Sequence, residues 1–443
     1  MTGTGGRRWR SAHDREILRL AIPAFGALVA EPLYVLADTA VVGHLGTPQL
    51  GGLGVASGIL LTAYGVFVFL AYGTTGAVAR LLGAGDRSEA ARQGIQGLWL
   101  AAGLSVAVGL ALFAAAPALV SLLGATGALR TNALVYLRIS VLGLPALFVT
   151  MAGTGYLRGL QDTRTPLAVA VATSVVNIVL QLVLIHGFHQ GIGASAASTV
   201  VAQTLGAAVY LRRIVASAHG LGVGLRPDAA SIRRLAVVGR DLFVRTAALR
   251  ASLIVTTAVA TRIGTLAVAA HQVAFELWNF LALALDAVAI AGQAITGRLL
   301  GAGDADGARS AGRRMIGWGA GAGCGFALLL VAARPWLPHL FSDDAHVVAL
   351  ASFLLWWVAA FQPVNGVAFV LDGILIGAGD LHFLALAMVG AMAVFLVAAA
   401  LVAGLGLGIG WLWAALGLLM LVRATTLLLR FRDGRWAVTG AAR

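Results

Sequence analysis

The segment Arg80-Leu-Leu-Gly-Ala-Gly-Asp86 recurs letter for letter as Arg298-Leu-Leu-Gly-Ala-Gly-Asp304, an offset of 218 residues from position 80 to position 298. The same offset relates glycines, prolines and aspartates elsewhere: Gly46 to Gly264, Pro145 to Pro363, Gly155 to Gly373, Gly159 to Gly377 and Asp162 to Asp380. Agreement at one offset in several loops indicates two similar halves. Many secondary transporters are built from two such halves, with the substrate site at their interface.

The composition is typical of a membrane protein with many spans. Apolar residues make up 60% of the 443 residues and charged residues only 11%, whereas soluble domains carry about 25% charged residues. We predict an all-α membrane protein with twelve transmembrane helices in two pseudo-symmetric six-helix lobes. The predicted spans are 17–42, 50–78, 94–117, 132–157, 165–187, 192–214, 241–262, 268–296, 311–334, 347–376, 382–403 and 407–429. The lobes are residues 1–214 and 241–443, and residues 215–240 form a linker.

The net charge is +13, and all 31 basic residues are arginine. Because most of the arginines lie in short loops between spans, we expect them to contact membrane lipids and not nucleic acid. One side of the predicted membrane collects most of them, including Arg7, Arg8, Arg10, Arg80, Arg158 and Arg164, and the other holds only Arg130, Arg262 and Arg334. The positive-inside rule then predicts a multi-pass protein of the plasma or inner membrane with both termini in the cytoplasm. Because each half has an even number of spans, both halves enter the membrane from the same side, so the two repeats are parallel. We also expect the protein to be a monomer.

The sequence offers no pattern typical of an enzyme or a bound cofactor. Cys324 is the only cysteine, which excludes a disulfide framework. The Gly-Ala-Gly-Asp loops lack a following Lys-Ser/Thr, so they predict tight turns and not phosphate loops. His186 and His189 lack metal-ligand spacing. We predict no enzyme, no metal cluster and no cofactor apart from a coupling ion; an intramembrane enzyme or a channel is the alternative from another class.

Five carboxylates fall within the predicted spans, where an aspartate costs at least about 2.5–3.5 kcal/mol. They are Glu31, Asp38, Glu276, Asp286 and Asp372. The repeat duplicates none of them: Thr256 stands opposite Asp38, Val68 opposite Asp286 and Thr154 opposite Asp372. The two halves therefore share a fold and differ in task.

Glu31 and Asp38 lie seven residues apart, so they share one face of the first helix. Pro23 and Pro32 interrupt the same helix, which predicts a kink and easier bending. A buried acid on such a bendable helix suits a protonation switch, in which the acid binds and releases a proton. Asp286 and Asp372 lie mid-span beside small residues and are candidate cavity carboxylates for an amphiphilic cation. The alternative for each acid is an ion pair with an intramembrane arginine: Arg138, Arg245, Arg250 or Arg423.

These residues resemble the multidrug and toxic compound extrusion family, MATE, and within it the DinF-like branch. The similarity is carried by Glu31-Pro-Leu-Tyr34-Val-Leu-Ala-Asp38, Gly159-Leu-Gln-Asp162-Thr-Arg-Thr-Pro166, Ala270-His-Gln-Val273 and Leu371-Asp-Gly373, and it spans essentially the whole chain. The resemblance implies two six-helix lobes forming a V around a central cavity. It also implies a secondary multidrug efflux antiporter that exports small amphiphilic or cationic substrates in exchange for H⁺ or Na⁺.

By the same resemblance, Asp38 matches the ion-coupling acid, with Na⁺ as a candidate ion there. Tyr34, Tyr136 and Asn177 match polar cavity residues, and Pro23 matches a bending proline. One position departs from the family: Gln181 stands where many members have an aspartate, four residues after Asn177. Glu31 is the hypothetical second coupling acid that compensates. The alternative function is a lipid-linked precursor flippase of the same superfamily.

Overall fold

The computed structural model of the chain describes residues 12–188 and 190–441, and within these residues it is helical with no strand. The helices of the first half are α1 (Ala12–Gly43), α2 (Thr47–Phe67), α3 (Phe69–Gly83), α4 (Arg87–Leu122), α5 (Gly127–Val141), α6 (Leu144–Gly159), α7 (Arg164–Leu182) and α8 (Ile192–Gly220). Those of the second half are α9 (Ala229–Ile263), α10 (Thr265–Gly301), α11 (Ala305–Ala333), α12 (Ala345–Gly377), α13 (Leu381–Gly404) and α14 (Ile409–Asp433). The chain ends, Arg7, Arg8, Arg10 and His189 lie outside the described residues.

Eleven helical segments of the described chain are long and apolar enough to cross a membrane, with α2 and α3 counted together as one segment, Thr47–Gly83. The number is twelve when α5 and α6, which meet at a bend of 51°, are counted as one span. This confirms the predicted all-helical membrane fold. Most helices extend beyond the predicted spans, as α4 does, because hydropathy marks only the part of a helix that suits hydrocarbon.

The repeat is visible in the helix boundaries. α12 covers the same positions, 218 residues later, as α5 and α6 together. The duplicated Gly155 and Gly373 explain why: a side chain at Gly155 would collide with the carbonyl oxygen of Ala71, and one at Gly373 with that of Ala289. Glycine therefore lets α6 cross α3, and α12 cross α10, with their backbones in contact, as small residues do in membrane helices.

The duplicated Gly-Ala-Gly-Asp segments are tight turns, as predicted. Gly85 and Gly303 have φ of +79° and +83°, a region that glycine enters without steric cost. Asp86 and Asp304 each cap the next helix by accepting a hydrogen bond from the backbone N–H three residues on. That bond, from Glu89, is the main reason why the pKa of Asp86 is lowered from its usual value.

The described chain forms two compact units whose boundaries differ from the predicted lobes. One unit is Gly26–Gly239, and the other joins the residues up to Phe25 with Arg240–Arg443. The first turns of α1 belong to the second unit because Asp14 accepts hydrogen bonds from Arg314 at 2.6 and 2.8 Å. Periodicity along one helix carries no information on which distant helices its two ends pack against.

The predicted linker 215–240 is mostly helix. Only residues 221–228 lie between α8 and α9. The Gln96 side chain donates to the carbonyl of Arg226 at 3.1 Å and accepts from the N–H of Asp228 at 2.8 Å. These bonds fix the connection to α4.

Candidate functional site

Asp38 lies in the second half of α1, and only 4% of its surface is exposed. The hydroxyl of Ser195 donates to its Oδ1 atom at 2.6 Å, and the side-chain amide of Gln181 donates to the same oxygen. The hydroxyl of Tyr136 donates to Oδ2 at 3.4 Å. Among the described side chains, no arginine or histidine lies within 4.0 Å of the carboxylate. Asp38 is therefore enclosed by neutral donors from α5, α7 and α8.

Thr199 of α8 connects the remaining predicted residues of this site. Its hydroxyl lies 2.8 Å from the hydroxyl of Tyr34 and accepts a hydrogen bond from the Asn177 amide at 3.0 Å. Thr199 follows Ser195 by one helical turn, so α8 presents both hydroxyls on one face. The structure thus brings Tyr34 and Asn177 next to the Asp38 network.

Two buried amide oxygens in this network, Asn177 Oδ1 and Gln181 Oε1, have no hydrogen-bond partner within the described residues. A buried acceptor without a partner costs about 1–3 kcal/mol. Hard cations prefer carboxylate and amide oxygens as ligands. Gln181 lies two residues before a π-helical turn at Val183–Gly187. Such irregular turns are frequent at functional sites. The site could accept a proton or a small cation.

Two adjoining cavities open beside the Asp38 network, with volumes of about 230 Å³ and about 110 Å³. Both lie within the unit Gly26–Gly239. They share Glu31, Tyr34, Tyr64, Leu147, Thr199 and Gln203. Asp38 and Tyr136 line the smaller cavity, and Asn177 lines the larger one. Glu31 lies within hydrogen-bonding reach of the Tyr64 hydroxyl. Glu31 and Asp38 both line the smaller cavity.

The structure corrects the prediction that Asp372 lines an open cavity. Asp372 lies on α12 in the other unit, is 3% exposed, and forms ion pairs with Arg245 of α9 and Arg423 of α14. This is the arginine pairing predicted as the alternative. Asp286 is half-buried and interacts electrostatically with Arg423. Glu276 is exposed and accepts a hydrogen bond from Gln272 of the same helix at 2.8 Å.

Pro23 lies within α1, which runs without a break from Ala12 to Gly43. The boundary between the two compact units falls two residues later, between Phe25 and Gly26. Proline has no N–H to donate to the carbonyl of Arg19, so the helix lacks one backbone hydrogen bond here. Bending at Pro23 stays a prediction.

Sequence reasoning missed four residues of this region. Ser195 and Thr199 carried a usable signal, since two hydroxyls one turn apart in an alanine-rich span predict one polar face. Tyr64 carried none. The position of Arg158 at the end of a predicted span predicts a loop arginine, but Arg158 is 7% exposed and lines the larger cavity. Its place at the end of a span concealed that role.

The comparisons with known proteins agree with this architecture. The MatE family model matches residues 23–183 and 242–402, one match in each half. The chain is 32% identical to Protein DETOXIFICATION 44, chloroplastic, of Arabidopsis thaliana, over 96% of this chain and 84% of the relative. It is 29% identical to DNA damage-inducible protein F of Escherichia coli (strain K12), over 96% of this chain and 94% of the relative.

Among solved structures, the fold is similar to one described as the outward-facing conformation of a multidrug resistance MATE family transporter of the MOP superfamily. The TM-score is 0.86 at 20% identity, covering 99% of this chain and 98% of that one. Members of this family are transporters and not enzymes. With two family matches in one chain and a relative at 32% identity, this multi-pass membrane protein belongs to the MATE family of transporters.

Proposed function

We propose that the protein is a secondary antiporter that exports small amphiphilic or cationic molecules in exchange for H⁺ or Na⁺. The observation that carries this proposal is the enclosed Asp38 carboxylate, which has three neutral donors and lies on the wall of a cavity. A carboxylate without an arginine partner is available for a proton or a small cation. Membership of a family with multidrug transporters supports the export of several substrates.

Asp38 is the ion-carrying residue in this proposal. Its donors Gln181, Ser195 and Tyr136 stabilise the negative charge when the ion has left. Binding of H⁺ or Na⁺ removes that charge and releases the donors to other partners. Because α1 carries Asp38 and also passes through Pro23, we propose that ion binding biases the helix between two shapes in alternating access.

Glu31 is proposed as the second coupling acid. It compensates for Gln181, which cannot titrate, and it lines both cavities. A substrate in the larger cavity and an ion at Asp38 would then compete through shared walls. Such competition is what an exchanger needs.

The energy of exchange limits what each ion can drive. One charge that moves inward down about 100 mV yields roughly 2.3 kcal/mol. At about 1.4 kcal/mol per tenfold, this supports roughly a fifty-fold gradient of a neutral substrate. Exchange of one ion for one monovalent cation cancels the electrical contribution and leaves only the concentration gradient of the ion. The stoichiometry therefore decides whether the membrane potential contributes.

The cavity charges bear on the alternative of a lipid-linked precursor flippase. A pyrophosphate-binding wall needs several cationic groups. The described walls of the two cavities carry two acids, Glu31 and Asp38, against one arginine, Arg158. We therefore favour export of amphiphiles, and a lipid-flipping assay beside the efflux assay distinguishes the two functions.

We also propose a location in the plasma or inner membrane, with both termini in the cytoplasm and the protein working as a monomer in contact with lipids. The uneven distribution of arginines between the two loop sides supports the orientation. Reporter fusions at each end test it. An active reporter on the opposite side of the membrane would contradict it.

The export proposal is tested in proteoliposomes with an ethidium-like dye and with pH and sodium gradients imposed separately. We expect the native protein to move dye against its gradient when one of the two ion gradients is present. Asp38→Asn keeps the size of the side chain and removes the charge, so ion-driven transport should be lost. Asp343→Asn, at an exposed loop position, is the matched control and should transport normally. Normal ion-driven transport by Asp38→Asn would refute the coupling role.

A further inference from the structure

Arg158 is a buried arginine without a carboxylate partner among the described residues. It lies at the end of α6 and lines the larger cavity, and its Nε atom has no hydrogen-bond partner in the described part of the chain. Only 7% of its surface is exposed. Burying a charge without a partner costs several kcal/mol, so this arginine requires an explanation.

The fold itself does not need an arginine here. The repeat offset places Ile376 opposite Arg158, and Ile376 is buried in α12. The flanking glycines Gly155 and Gly159 are duplicated as Gly373 and Gly377. The same helix crossing is therefore built with isoleucine in one half and arginine in the other. Arg158 is therefore a feature of the first-half cavity and not of the fold that the two halves share.

The groups around Arg158 suit an anion. Thr150, Thr154 and Arg158 follow each other at four-residue intervals, so α6 presents them on one face, and all three line the cavity. The remaining hydroxyl side chains of the cavity wall are those of Tyr34, Tyr64, Tyr72, Thr173, Ser174, Thr199 and Tyr210. Hydroxyls donate hydrogen bonds to anionic oxygens, and the planar guanidinium matches a carboxylate with two parallel bonds.

An acid lines the same cavity as this arginine. Glu31 and Arg158 are not within ion-pairing distance of 4.0 Å, and Tyr64 interacts electrostatically with both. One cavity of about 230 Å³ thus offers a negative and a positive group without pairing them. A ligand with both charges satisfies both groups, whereas a simple cation leaves Arg158 unpaired.

We propose that Arg158 binds a carboxylate of the exported molecule, so that the preferred substrates are zwitterionic amphiphiles with a carboxylate and a cationic nitrogen. The nitrogen is attracted by Glu31, and the apolar body packs on residues such as Met151 and Leu147. This inference rests on the proposed export function and specifies its substrate class.

Rhodamine B and its ethyl ester test the proposal, because they differ only in one carboxylate. Their dissociation constants are measured by fluorescence titration of the purified full-length protein. Arg158→Gln should weaken binding of the acid by about tenfold or more, as expected when a buried charge-assisted pair is lost. Binding of the ester should change by less than about twofold, since the ester makes no such pair. Arg164→Gln, at an exposed position at the start of α7, is the control and should change neither value.

A ratio of the two dissociation constants that is equal in the native protein and in Arg158→Gln overturns the proposal. If Arg158→Gln does not fold, Arg158→Ile replaces it, because the second half already accommodates isoleucine at this position. The native protein gives an independent result: binding the ester about tenfold more tightly than the acid would also overturn the proposal, since the buried charge then contributes nothing.

Ion-driven efflux of the same two dyes separates this inference from the proposed function. If the native protein does not export either dye but still binds the acid more tightly than the ester, the export function is contradicted and the carboxylate site at Arg158 is supported. Efflux of both dyes without any preference contradicts the role of Arg158 alone.

Discussion

Replacing Asp372 by asparagine should destabilise the second compact unit strongly. The carboxylate is 3% exposed and pairs with two guanidinium groups, those of Arg245 and Arg423, which are buried themselves. Asparagine keeps the shape and removes the charge. Both arginines then lose their direct ionic partner in a place with little water.

The magnitude follows from the number of charges left behind. Removing one partner of a buried ion pair costs about 3–5 kcal/mol, and with two cations affected we expect the upper end for Asp372→Asn. Arg423→Met should cost less, about 1.5–3 kcal/mol, because the Asp372 carboxylate loses one charged hydrogen bond and keeps Arg245 as its partner. At roughly 2–4 °C per kcal/mol, Asp372→Asn should lower Tm by on the order of 10–20 °C.

The assay is thermal and denaturant unfolding of the purified protein in detergent, with Asp343→Asn as the exposed control. The double variant Asp372→Asn/Arg423→Met should recover part of the loss, since it removes one of the two guanidinium groups that lose the Asp372 carboxylate. A loss below about 1 kcal/mol for Asp372→Asn would refute the reasoning. A larger loss for Arg423→Met than for Asp372→Asn would refute it as well.

Three further predictions concern helix packing, a helix cap and the coupling acids. Gly373→Ala should cost about 1–3 kcal/mol, because the new methyl group meets the backbone of α10; Gly317→Ala, which has open space around it, should be neutral or stabilising in the same unfolding assay. The backbone N–H of Glu89 lowers the pKa of Asp86 from 3.8. The stability that this helix cap contributes is therefore present above pH 3.8 and is lost as the pH falls through the lower pKa of the folded state. The difference in Tm between the native protein and Asp86→Ala should shrink in that acidic range and stay constant above it. Glu31→Gln should reduce substrate-driven proton or sodium release from proteoliposomes, and unchanged release would remove Glu31 from the coupling scheme.

Much of the fold was predictable because membrane insertion imposes local rules. Each span must be apolar over a length set by the bilayer and must satisfy its backbone bonds internally. The repeat added independent support, and the duplicated Gly155 and Gly373 mark the helix crossings that the structure contains. The family resemblance predicted Asp38, Tyr34 and Asn177 as neighbours.

The partners of the acids could not be predicted in the same way. Arg245 and Arg423 lie 127 and 51 residues from Asp372 along the chain, and no local pattern shows which span packs against which. For the same reason Asp38 and Asp372 looked alike in sequence. One is held by neutral donors and the other by two arginines.

The sequence by itself determined the number and type of spans, the two-fold repeat and the departure at Gln181, because these depend on composition and spacing along the chain. Only the tertiary structure decided that Ser195 and Gln181 share one oxygen of Asp38, that Arg158 lines a cavity, and that α1 divides between two compact units. These features depend on contacts between helices far apart in sequence, where burial and electrostatics act through space.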